Sequence, residues 1–287
     1  MVLRLAGAPM APYPKAIILA GGSGTRFGTL GQVLPKCLLP VFDQPLLLRQ
    51  IEQCAQAGVR EVLVSTSARF ESGLRSVLAL YTPPQAMTIT CVAEPRPLGP
   101  IMGLLSLAPW TAGDATLVLL GDEYYEDSSP FLSLAQRAVV PDLLLGVVHD
   151  SPPHRILCNA VTDAAGRVLS VREKPTIDQL VGSTRWCGFT GFTAGLLEQV
   201  PRDLVRDHAH LGDLLSLLLA RGARAEALEF CELHLNLNTP DDLLLASLVE
   251  ARGRYRRLRR PLPQSLDDAI EVLVAGDAAR AVMPCPR

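Results

Sequence analysis

A short apolar run that ends in a glycine-rich loop constrains this chain more than any other feature. Residues 16–20, Ala-Ile-Ile-Leu-Ala, are apolar and rich in branched side chains, which is typical of a buried parallel strand. The next six residues, 21–26, read Gly-Gly-Ser-Gly-Thr-Arg. Glycine lets the backbone N–H groups approach an anion closely, and Arg26 and Lys36 add the positive charge that a polyphosphate requires. The stretch therefore predicts a phosphate-binding loop at the end of a strand.

The spacing of this loop excludes two common nucleotide-binding patterns. A dinucleotide fingerprint that starts at Gly22 and Gly24 requires a small residue where Phe27 stands. The Walker pattern requires Gly-Lys-Ser/Thr, which this sequence lacks. We therefore expect neither a Rossmann dehydrogenase nor a P-loop enzyme.

The composition is that of a chain able to bury a large core. It has 287 residues, of which 48% are hydrophobic, and a formal net charge of −2, so nucleic acid is not expected as a partner. Its leucine-rich runs are much shorter than a bilayer span, so no membrane segment is expected. Seven cysteines without a Cys-x-x-Cys pair indicate buried free thiols. Because residues 1–14 lack a signal-peptide layout, a cytoplasmic location is expected.

Hydrophobic periodicity predicts strands that alternate with helices through the first half of the chain. Predicted strands cover residues 16–20, 61–65, 87–93 and 115–120, and predicted helices cover residues 45–57, 70–80 and 100–108. This alternation predicts an α/β fold with a Rossmann-like, mixed but mostly parallel sheet flanked by helices. Because ligands bind beyond the carboxyl ends of such strands, Gly21, Glu94 and Asp122 should meet in one cleft.

From residue 143 the pattern becomes rich in strands. Predicted strands cover residues 143–148, 157–162, 168–172 and 186–193, and we expect this β-rich half to face the first half and to bind an acceptor substrate. Thr239 and Pro240 predict a helix start, as N-cap and first helical position, and a last short helix is predicted near residues 266–274. The expected organisation is a loose tail at 1–14, a principal domain at 15–250 and a C-terminal helical tail at 251–287.

Residues 19–26 together with Pro35 and Lys36 resemble the signature of the nucleotidyltransferases that make nucleotide sugars. Glucose-1-phosphate thymidylyltransferases and mannose-1-phosphate guanylyltransferases carry such catalytic domains, and the resemblance covers residues 15–250. It implies an enzyme that transfers a nucleotidyl group from a nucleoside triphosphate to a sugar 1-phosphate and releases pyrophosphate. Such catalysis consists of positioning and charge neutralisation. Members of this size often form dimers or tetramers, so a homo-oligomer is compatible with the resemblance.

The resemblance also implies roles for residues in the first half of the chain. Nucleotide binding is implied for Ala20, Gly21, Gly22, Ser23, Gly24, Thr25, Glu94 and Gly99. Within this set the three loop glycines would cradle the triphosphate. Arg26 would hold the leaving pyrophosphate, and Lys36 would neutralise the α-phosphate.

A magnesium site is implied just after the predicted strand at 115–120. An aspartate in this place, Asp122, can hold a divalent cation against the nucleotide phosphates. The second metal ligand of the family, usually an acid, falls on Asn236, whose amide oxygen can coordinate Mg²⁺ but brings no charge. Glu123 stands where the family often has Asn or Asp, and no role is assigned to it.

Glu173, Lys174 and Pro175 match the acceptor-binding motif of the same family. The resemblance implies that Glu173 holds sugar hydroxyls, that Lys174 meets the acceptor phosphate, and that Gly188 lines the sugar site. Two departures leave the identity of the sugar open. Residues 157–158 are Leu-Cys where many members have Tyr-Gly, and residues 100–102 are Pro-Ile-Met in place of the usual small residues.

Glu94 begins a segment, residues 94–99, that resembles the base-reading segment of the family. A carboxylate only accepts hydrogen bonds, so it favours bases that present donors: guanine, cytosine or adenine. This chemistry favours GTP or CTP over UTP or dTTP. The alternative is an exposed Glu94, with the base recognised by backbone groups.

Two further functions stay open at this point. The altered acceptor positions permit nucleotidyl transfer to a non-sugar phosphate or phosphonate. The amide at Asn236 is compatible with a non-catalytic homologue that binds nucleotide sugars and regulates another protein, although the predicted catalytic residues are retained. His208 and His210 lie in a polar connection with no third ligand nearby and do not predict a metal site.

Overall fold

The computed structural model describes residues 11–22, 24–94, 99–149, 158–180, 184–204, 210–230, 233–261 and 263–280. The strands are β1 (Lys15–Leu19), β2 (Pro40–Val41), β3 (Gln44–Pro45), β4 (Glu61–Ser67), β5 (Thr88–Glu94), β6 (Thr116–Leu120), β7 (Glu123–Tyr125), β8 (Leu143–Val148), β9 (Cys158–Thr162), β10 (Arg167–Glu173), β11 (Thr184–Phe192), β12 (Ala225–Phe230) and β13 (His234–Asn236). The helices are α1 (Gly28–Val33), α2 (Leu46–Gln56), α3 (Glu71–Leu80), α4 (Pro100–Ser106), α5 (Ala108–Thr111), α6 (Ser129–Leu134), α7 (Leu211–Ala220), α8 (Pro240–Arg257) and α9 (Gln264–Arg280).

One mixed sheet runs through the middle of the fold, in the order β5-β4-β1-β6-β11-β8-β12-β10-β9. The β5-β4-β1-β6 part is parallel. Strand β11 is antiparallel to both β6 and β8, and β8 pairs in parallel with β12. The predicted mixed α/β sheet is confirmed. The β-rich half continues the same sheet rather than facing it, because β11 inserts between β6 and β8.

Helices cover both faces of the sheet, as the alternating pattern predicts. Along β1, Ala16 and Ile18 pack in a core with α2, α3 and α6, while Ile17 packs on the opposite face with α4, α5 and α7. This alternation is the period of two of a strand. The sequence analysis did not predict α7 or β12, which complete the second face and the second half of the sheet.

A third core lies beside the sheet, between the β7–β13 ribbon and helices α8 and α9. Thr239 caps α8 in a capping box with Asp242, and Pro240 takes its first turn, as predicted. Helix α8 continues through the predicted domain limit at 250 to Arg257, and Ile270 of α9 is buried in this core. At the other end of the chain, Tyr13 is fully buried, so tight packing begins before residue 15.

Two expectations from composition have a structural outcome. The cysteines of the described residues, Cys37, Cys54, Cys91, Cys158 and Cys187, are buried free thiols, as predicted. Cys231 and Cys285 lie outside the described residues. Within the described part of the chain, no helix combines the length and the apolarity needed to cross a membrane.

Candidate active site

A cavity of about 580 Å³ lies at the carboxyl ends of β1, β5 and β6. The predicted residues that border it are Ala20, Gly21, Gly22, Lys36, Glu94, Gly99, Asp122 and Asn236. The predicted meeting of the glycine loop with Glu94 and Asp122 is therefore present. Parallel strands with their carboxyl ends on one edge bring these segments together although they are up to about 100 residues apart in sequence.

The glycine loop is held by a close backbone contact with α1. Gly24 has a left-handed backbone, with φ of +63°. A Cβ added to Gly31 of α1 would lie 2.0 Å from the Gly24 carbonyl oxygen, so no side chain fits there. Gly31 is a supporting residue that the sequence analysis missed, because its role depends on a contact between two glycines rather than on a motif. Ser23 lies outside the described residues.

Lys36 is held by hydrogen bonds to two side chains. Its Nζ donates to Asp122 Oδ2 over 2.9 Å and to Asn238 Oδ1 over 2.8 Å. The lysine and aspartate side chains are 14% and 26% exposed, so the pair faces the cavity but is shielded from bulk water. Within the described segments, two of the three N–H groups of the ammonium have partners, which leaves one for a ligand. Asn238 was not among the predicted site residues.

Glu94 forms part of the wall of this cavity. The Ser65 hydroxyl donates to Glu94 Oε1 over 3.1 Å. A Cβ on Gly103 would lie 2.8 Å from the same oxygen, so the glycine in α4 makes room for the carboxylate. Ser65 and Gly103 therefore set the position of Glu94, and neither was predicted.

Arg69 is a further cation that the sequence analysis missed. Its exposed side chain borders the first cavity. The guanidinium donates to the Gln32 carbonyl and lies 5.1 Å from the centre of the Phe70 ring. Arg26 is also exposed, on the short turn Thr25–Phe27, but it is not among the residues that border the cavity.

A second cavity of about 170 Å³ adjoins the first, and the two share Pro100, Leu120 and Asn236. Its polar lining comes from Glu123, Glu173, Arg185, His210 and His234. Glu173 was predicted to face the acceptor, and the structure places it here. Lys174 is exposed at the end of β10, with a left-handed φ of +48°, and is not among the bordering residues.

Glu173 is crowded from the side of α7. His210 Nδ1 lies 3.8 Å from Glu173 Oε1, and a Cβ on Gly212 would lie 2.4 Å from Oε2. Burial raises the pKa of the Glu173 carboxyl above its ordinary value; the His210 ring opposes this shift and Asp213 adds to it. His210 therefore belongs to the second cavity, whereas His208 lies outside the described residues.

Glu123 forms a buried part of the lining of the second cavity. It is 4% exposed, its Oε1 accepts from Asn236 Nδ2 over 2.7 Å, and His234 Nε2 lies 2.8 Å from its Oε2. Burial raises the pKa of Glu123 well above its ordinary value; Asp122 adds to this effect and the buried Arg185 opposes it. Glu123 is thus an integral part of the site, although the sequence analysis assigned it no role.

Gly188 packs closely against the side chain of Glu123. Its φ is +75°, and a Cβ there would lie 2.6 Å from Glu123 Cγ. It does not appear among the residues bordering either cavity, so its observed contact is with Glu123 and not with the space that a sugar would fill.

Asp122 and Asn236 both border the first cavity, and each side chain carries oxygen atoms. The described residues contain no group of three or more His, Cys, Asp and Glu side chains arranged to hold a metal ion. Asn236 Oδ1 is buried and has no hydrogen-bond partner within the described segments. A buried amide oxygen without a partner and a carboxylate that borders the same cavity fit a hard cation that would take its other ligands from a nucleotide and water.

Comparison with known proteins gives sequence relatives whose names describe nucleotidyl transfer to sugar phosphates. A glucose-1-phosphate thymidylyltransferase from an Actinoplanes species is 28% identical over 163 residues, which cover 56% of this chain and 52% of that protein. A mannose-1-phosphate guanylyltransferase from Mycobacterium tuberculosis is 27% identical over 245 residues, which cover 83% of this chain and 65% of that protein. The chain thus spans about half to two thirds of the length of these two relatives.

A solved structure and a family model also match this chain, and both agree with the names of these relatives. The structure of the inositol-1-phosphate CTP transferase from T. maritima superposes with a TM-score of 0.68 at 17% identity, over 83% of this chain and 97% of that one, which shows a shared fold. A nucleotidyl transferase family model matches residues 15–247, which include the glycine loop, both cavities and the start of α8. Since this match extends over most of the sequence, the chain belongs to the nucleotidyl transferase family.

Proposed function

We propose that this chain transfers a nucleotidyl group from a nucleoside triphosphate to a sugar 1-phosphate, giving a nucleotide sugar and pyrophosphate. The observation that carries the proposal is the pair of adjoining cavities. The first contains the glycine loop with Lys36 and Asp122, and the second contains Glu173 and Arg185. A donor in the first cavity and an acceptor in the second would meet at their shared border, where Asn236 lies.

The first cavity would take the triphosphate. Backbone N–H groups of Gly21 and Gly22 would face its phosphate oxygens, and the remaining N–H of Lys36 would neutralise the α-phosphate. Arg69 at the cavity border and Arg26 on the exposed turn beside it would draw the leaving pyrophosphate outward. Lys36 is held in place before any ligand arrives, so little ordering cost would fall on the reaction.

Mg²⁺ is the cofactor that we propose for this site, held by the carboxylate of Asp122, whose Oδ2 also accepts from Lys36, and by the orphaned Oδ1 of Asn236. It would neutralise negative charge on the triphosphate. One carboxylate and one amide form a weak site by themselves, so the phosphates would complete it. Binding of the metal and of the nucleotide would then depend on each other.

In the transfer step, an oxygen of the acceptor phosphate would attack the α-phosphorus. The new P–O bond would form as the bond from the α-phosphorus to the pyrophosphate oxygen breaks, and the electron pair would leave with pyrophosphate. Lys36 would neutralise the α-phosphate, and Glu173 would accept hydrogen bonds from acceptor hydroxyls. Lys174 is exposed and borders neither cavity, so its side chain would have to turn inward to neutralise the acceptor phosphate. No covalent enzyme intermediate is needed.

Glu94 supports a base that carries an amino group. Its Oε1 is held by Ser65, and the carboxylate lies at the cavity wall, where it can accept from an exocyclic N–H₂ or a ring N–H. We propose GTP or CTP as donor on this basis. UTP and dTTP would place carbonyl oxygens beside a carboxylate, which is unfavourable.

The small volume of the second cavity favours a second candidate acceptor, a non-sugar phosphate or phosphonate smaller than a sugar 1-phosphate. At about 170 Å³ it is below the usual range of ligand pockets, roughly 300–1,000 Å³. The sequence also differs at this cavity: residues 157–158 are Leu-Cys where many members of the family have Tyr-Gly, and Cys158 borders the cavity.

The experiment is a pyrophosphate-release screen of the purified chain with Mg²⁺. ATP, GTP, CTP, UTP and dTTP would each be offered with a panel of sugar 1-phosphates and small phosphonates. We expect release with GTP or CTP and one acceptor class, and a loss of at least about 100-fold in Asp122→Ala. Asp114→Ala is the matched control, because Asp114 pairs with Lys15 away from the cavities.

Two outcomes would count against the proposal. Near-normal turnover by Asp122→Ala would show that the metal assignment is wrong. If no combination of nucleotide and acceptor released pyrophosphate and the folded protein bound a nucleotide sugar tightly, a non-catalytic regulatory role would be supported instead.

A further inference from the structure

The amide of Asn236 is held at one end only. Asn236 stands directly opposite Glu123 in the antiparallel β13–β7 pair. Its Nδ2 donates to Glu123 Oε1 over 2.7 Å, while its Oδ1 is buried without a hydrogen-bond partner among the described residues. A buried carbonyl oxygen without a donor lowers stability, so a missing partner is expected for it.

Glu123 determines which end of the amide is left over. The two ends of an asparagine amide differ only in that one donates and the other accepts. His234 Nε2 lies 2.8 Å from Glu123 Oε2, so a proton shared by this pair is held on the Oε2 side, and Oε1 remains the acceptor for Asn236 Nδ2. The N–H₂ group must therefore face Glu123, and the oxygen must face away from it. A glutamine at position 123 could donate instead, and the amide could then reverse.

The carboxylate of Glu123 is itself fixed by its surroundings. It is 4% exposed, and Gly188 leaves no room below it, since a Cβ there would lie 2.6 Å from Glu123 Cγ. The strand that carries Asn236 is tied to Asp122, because the Leu237 N–H donates to the Asp122 carbonyl over 2.8 Å. Asp122, Glu123 and Asn236 are therefore connected by backbone and side-chain hydrogen bonds at the border of the two cavities.

We infer that Glu123 is a positioning residue that fixes the Asn236 amide so that its oxygen, and not its N–H₂ group, is offered to a divalent cation beside Asp122. The inference rests on the proposed function in taking this cation to be the one that serves nucleotidyl transfer. Residues that orient a metal ligand typically change metal affinity by 10- to 100-fold when they are substituted.

The test is Mn²⁺ binding to the purified full chain without nucleotide, followed by the loss of the electron paramagnetic resonance signal of free Mn²⁺. Mn²⁺ suits this purpose because it takes the same oxygen ligands as Mg²⁺. The proteins are wild type, Glu123→Gln, Asn236→Ala and the double variant. Glu229→Gln is the control for loss of one carboxylate, since Glu229 pairs with His149 on the surface. Circular dichroism and thermal unfolding confirm that each variant is folded.

We expect Glu123→Gln and Asn236→Ala each to weaken Mn²⁺ binding about tenfold or more, and Glu229→Gln to leave it within about twofold of wild type. In the Asn236→Ala background, Glu123→Gln should cause little further loss, because the residue that it positions is gone. An equal loss in both backgrounds would show that Glu123 acts by its charge and would overturn the inference. Wild-type affinity in Asn236→Ala would overturn it even if Glu123→Gln does not fold.

The outcome is separable from that of the proposed function. Pyrophosphate release that requires the same Mn²⁺ concentration in wild type and in Asn236→Ala would overturn this inference and leave the function standing, and this outcome can be read even if the site binds Mn²⁺ too weakly without nucleotide. Mn²⁺ binding with the expected pattern in a protein that releases no pyrophosphate would support this inference and overturn the proposed function.

Discussion

Gly31→Ala tests the contact that holds the glycine loop. A Cβ at residue 31 would lie 2.0 Å from the Gly24 carbonyl oxygen and 2.8 Å from its carbonyl carbon. Both are backbone atoms and cannot rotate away. The loop and α1 must therefore separate by about 1 Å to reach the 3.0 Å below which real Cβ contacts essentially do not occur.

This separation has two expected costs. Forced packing of this kind costs about 1–3 kcal/mol of unfolding free energy, against a gain of up to about 1 kcal/mol from replacing glycine by alanine in a helix. A shift of about 1 Å in a phosphate-binding loop also lowers activity by about 100-fold, because catalysis here depends on positioning. We therefore expect a small loss of stability with a large loss of pyrophosphate release.

Gly73→Ala is the matched control. Gly73 lies in α3, and a Cβ there would meet no atom of the described residues within 4 Å. The substitution should therefore raise stability by up to about 1 kcal/mol and leave activity unchanged. Urea unfolding and pyrophosphate release would be measured for both variants. The reasoning would be refuted if Gly31→Ala were as stable and as active as Gly73→Ala.

Three further predictions concern charged side chains of the two cavities. Lys36→Met should lower pyrophosphate release at least about 100-fold, because it removes the cation that Asp122 and Asn238 hold in place. Lys15→Met is the control, since Lys15 lies at the other end of β1 and pairs with Asp114; it should leave the rate unchanged. Steady-state rates of pyrophosphate release would be compared for the two variants. Glu94→Gln should reduce the preference for GTP or CTP over UTP about tenfold, measured as ratios of kcat/KM, because an amide can also donate. Since the pKa of Glu173 is raised in the folded state, its contribution to stability is present at acid pH and is lost as pH rises through that raised pKa. Glu173→Gln should therefore be more stable relative to wild type near pH 7 than near pH 4 in urea unfolding.

Each of these has an outcome that contradicts it. Equal rates for Lys36→Met and Lys15→Met would remove Lys36 from the site. An unchanged nucleotide preference in Glu94→Gln would leave base recognition to backbone groups. A stability difference for Glu173→Gln that does not change between the two pH values would mean that burial does not disfavour the charged carboxylate.

The features that could be predicted from sequence are those that depend on neighbouring residues. The apolar run at 16–20 became β1 at Lys15–Leu19, and the run at 143–148 became β8 with the same limits. The cap at Thr239 and Pro240 set the start of α8, because the side chain of Thr239 meets an N–H three residues later. The roles of the predicted site residues, and the domain limits at 15 and 250, stay predictions.

The residues that sequence analysis missed act through contacts between distant segments. Asn238 reaches Lys36 across 202 positions, and Gly31 matters only because Gly24 lies against it. His234 and Arg185 surround Glu123 because β13 pairs with β7 and β11 enters the middle of the sheet. None of these has a spacing in the sequence that would reveal it.

The sequence by itself determined the glycine loop, the order of strands and helices in the first half, and the chemistry of a phosphate site. These follow from local backbone freedom, hydrophobic period and formal charge. Only the tertiary structure decided that Glu123 is buried against Asn236, that Lys36 is bound to Asp122, and that two cavities share a border. Burial and partner choice set the orientation of each polar group, and both arise only when strands that are distant in sequence are brought together in one sheet.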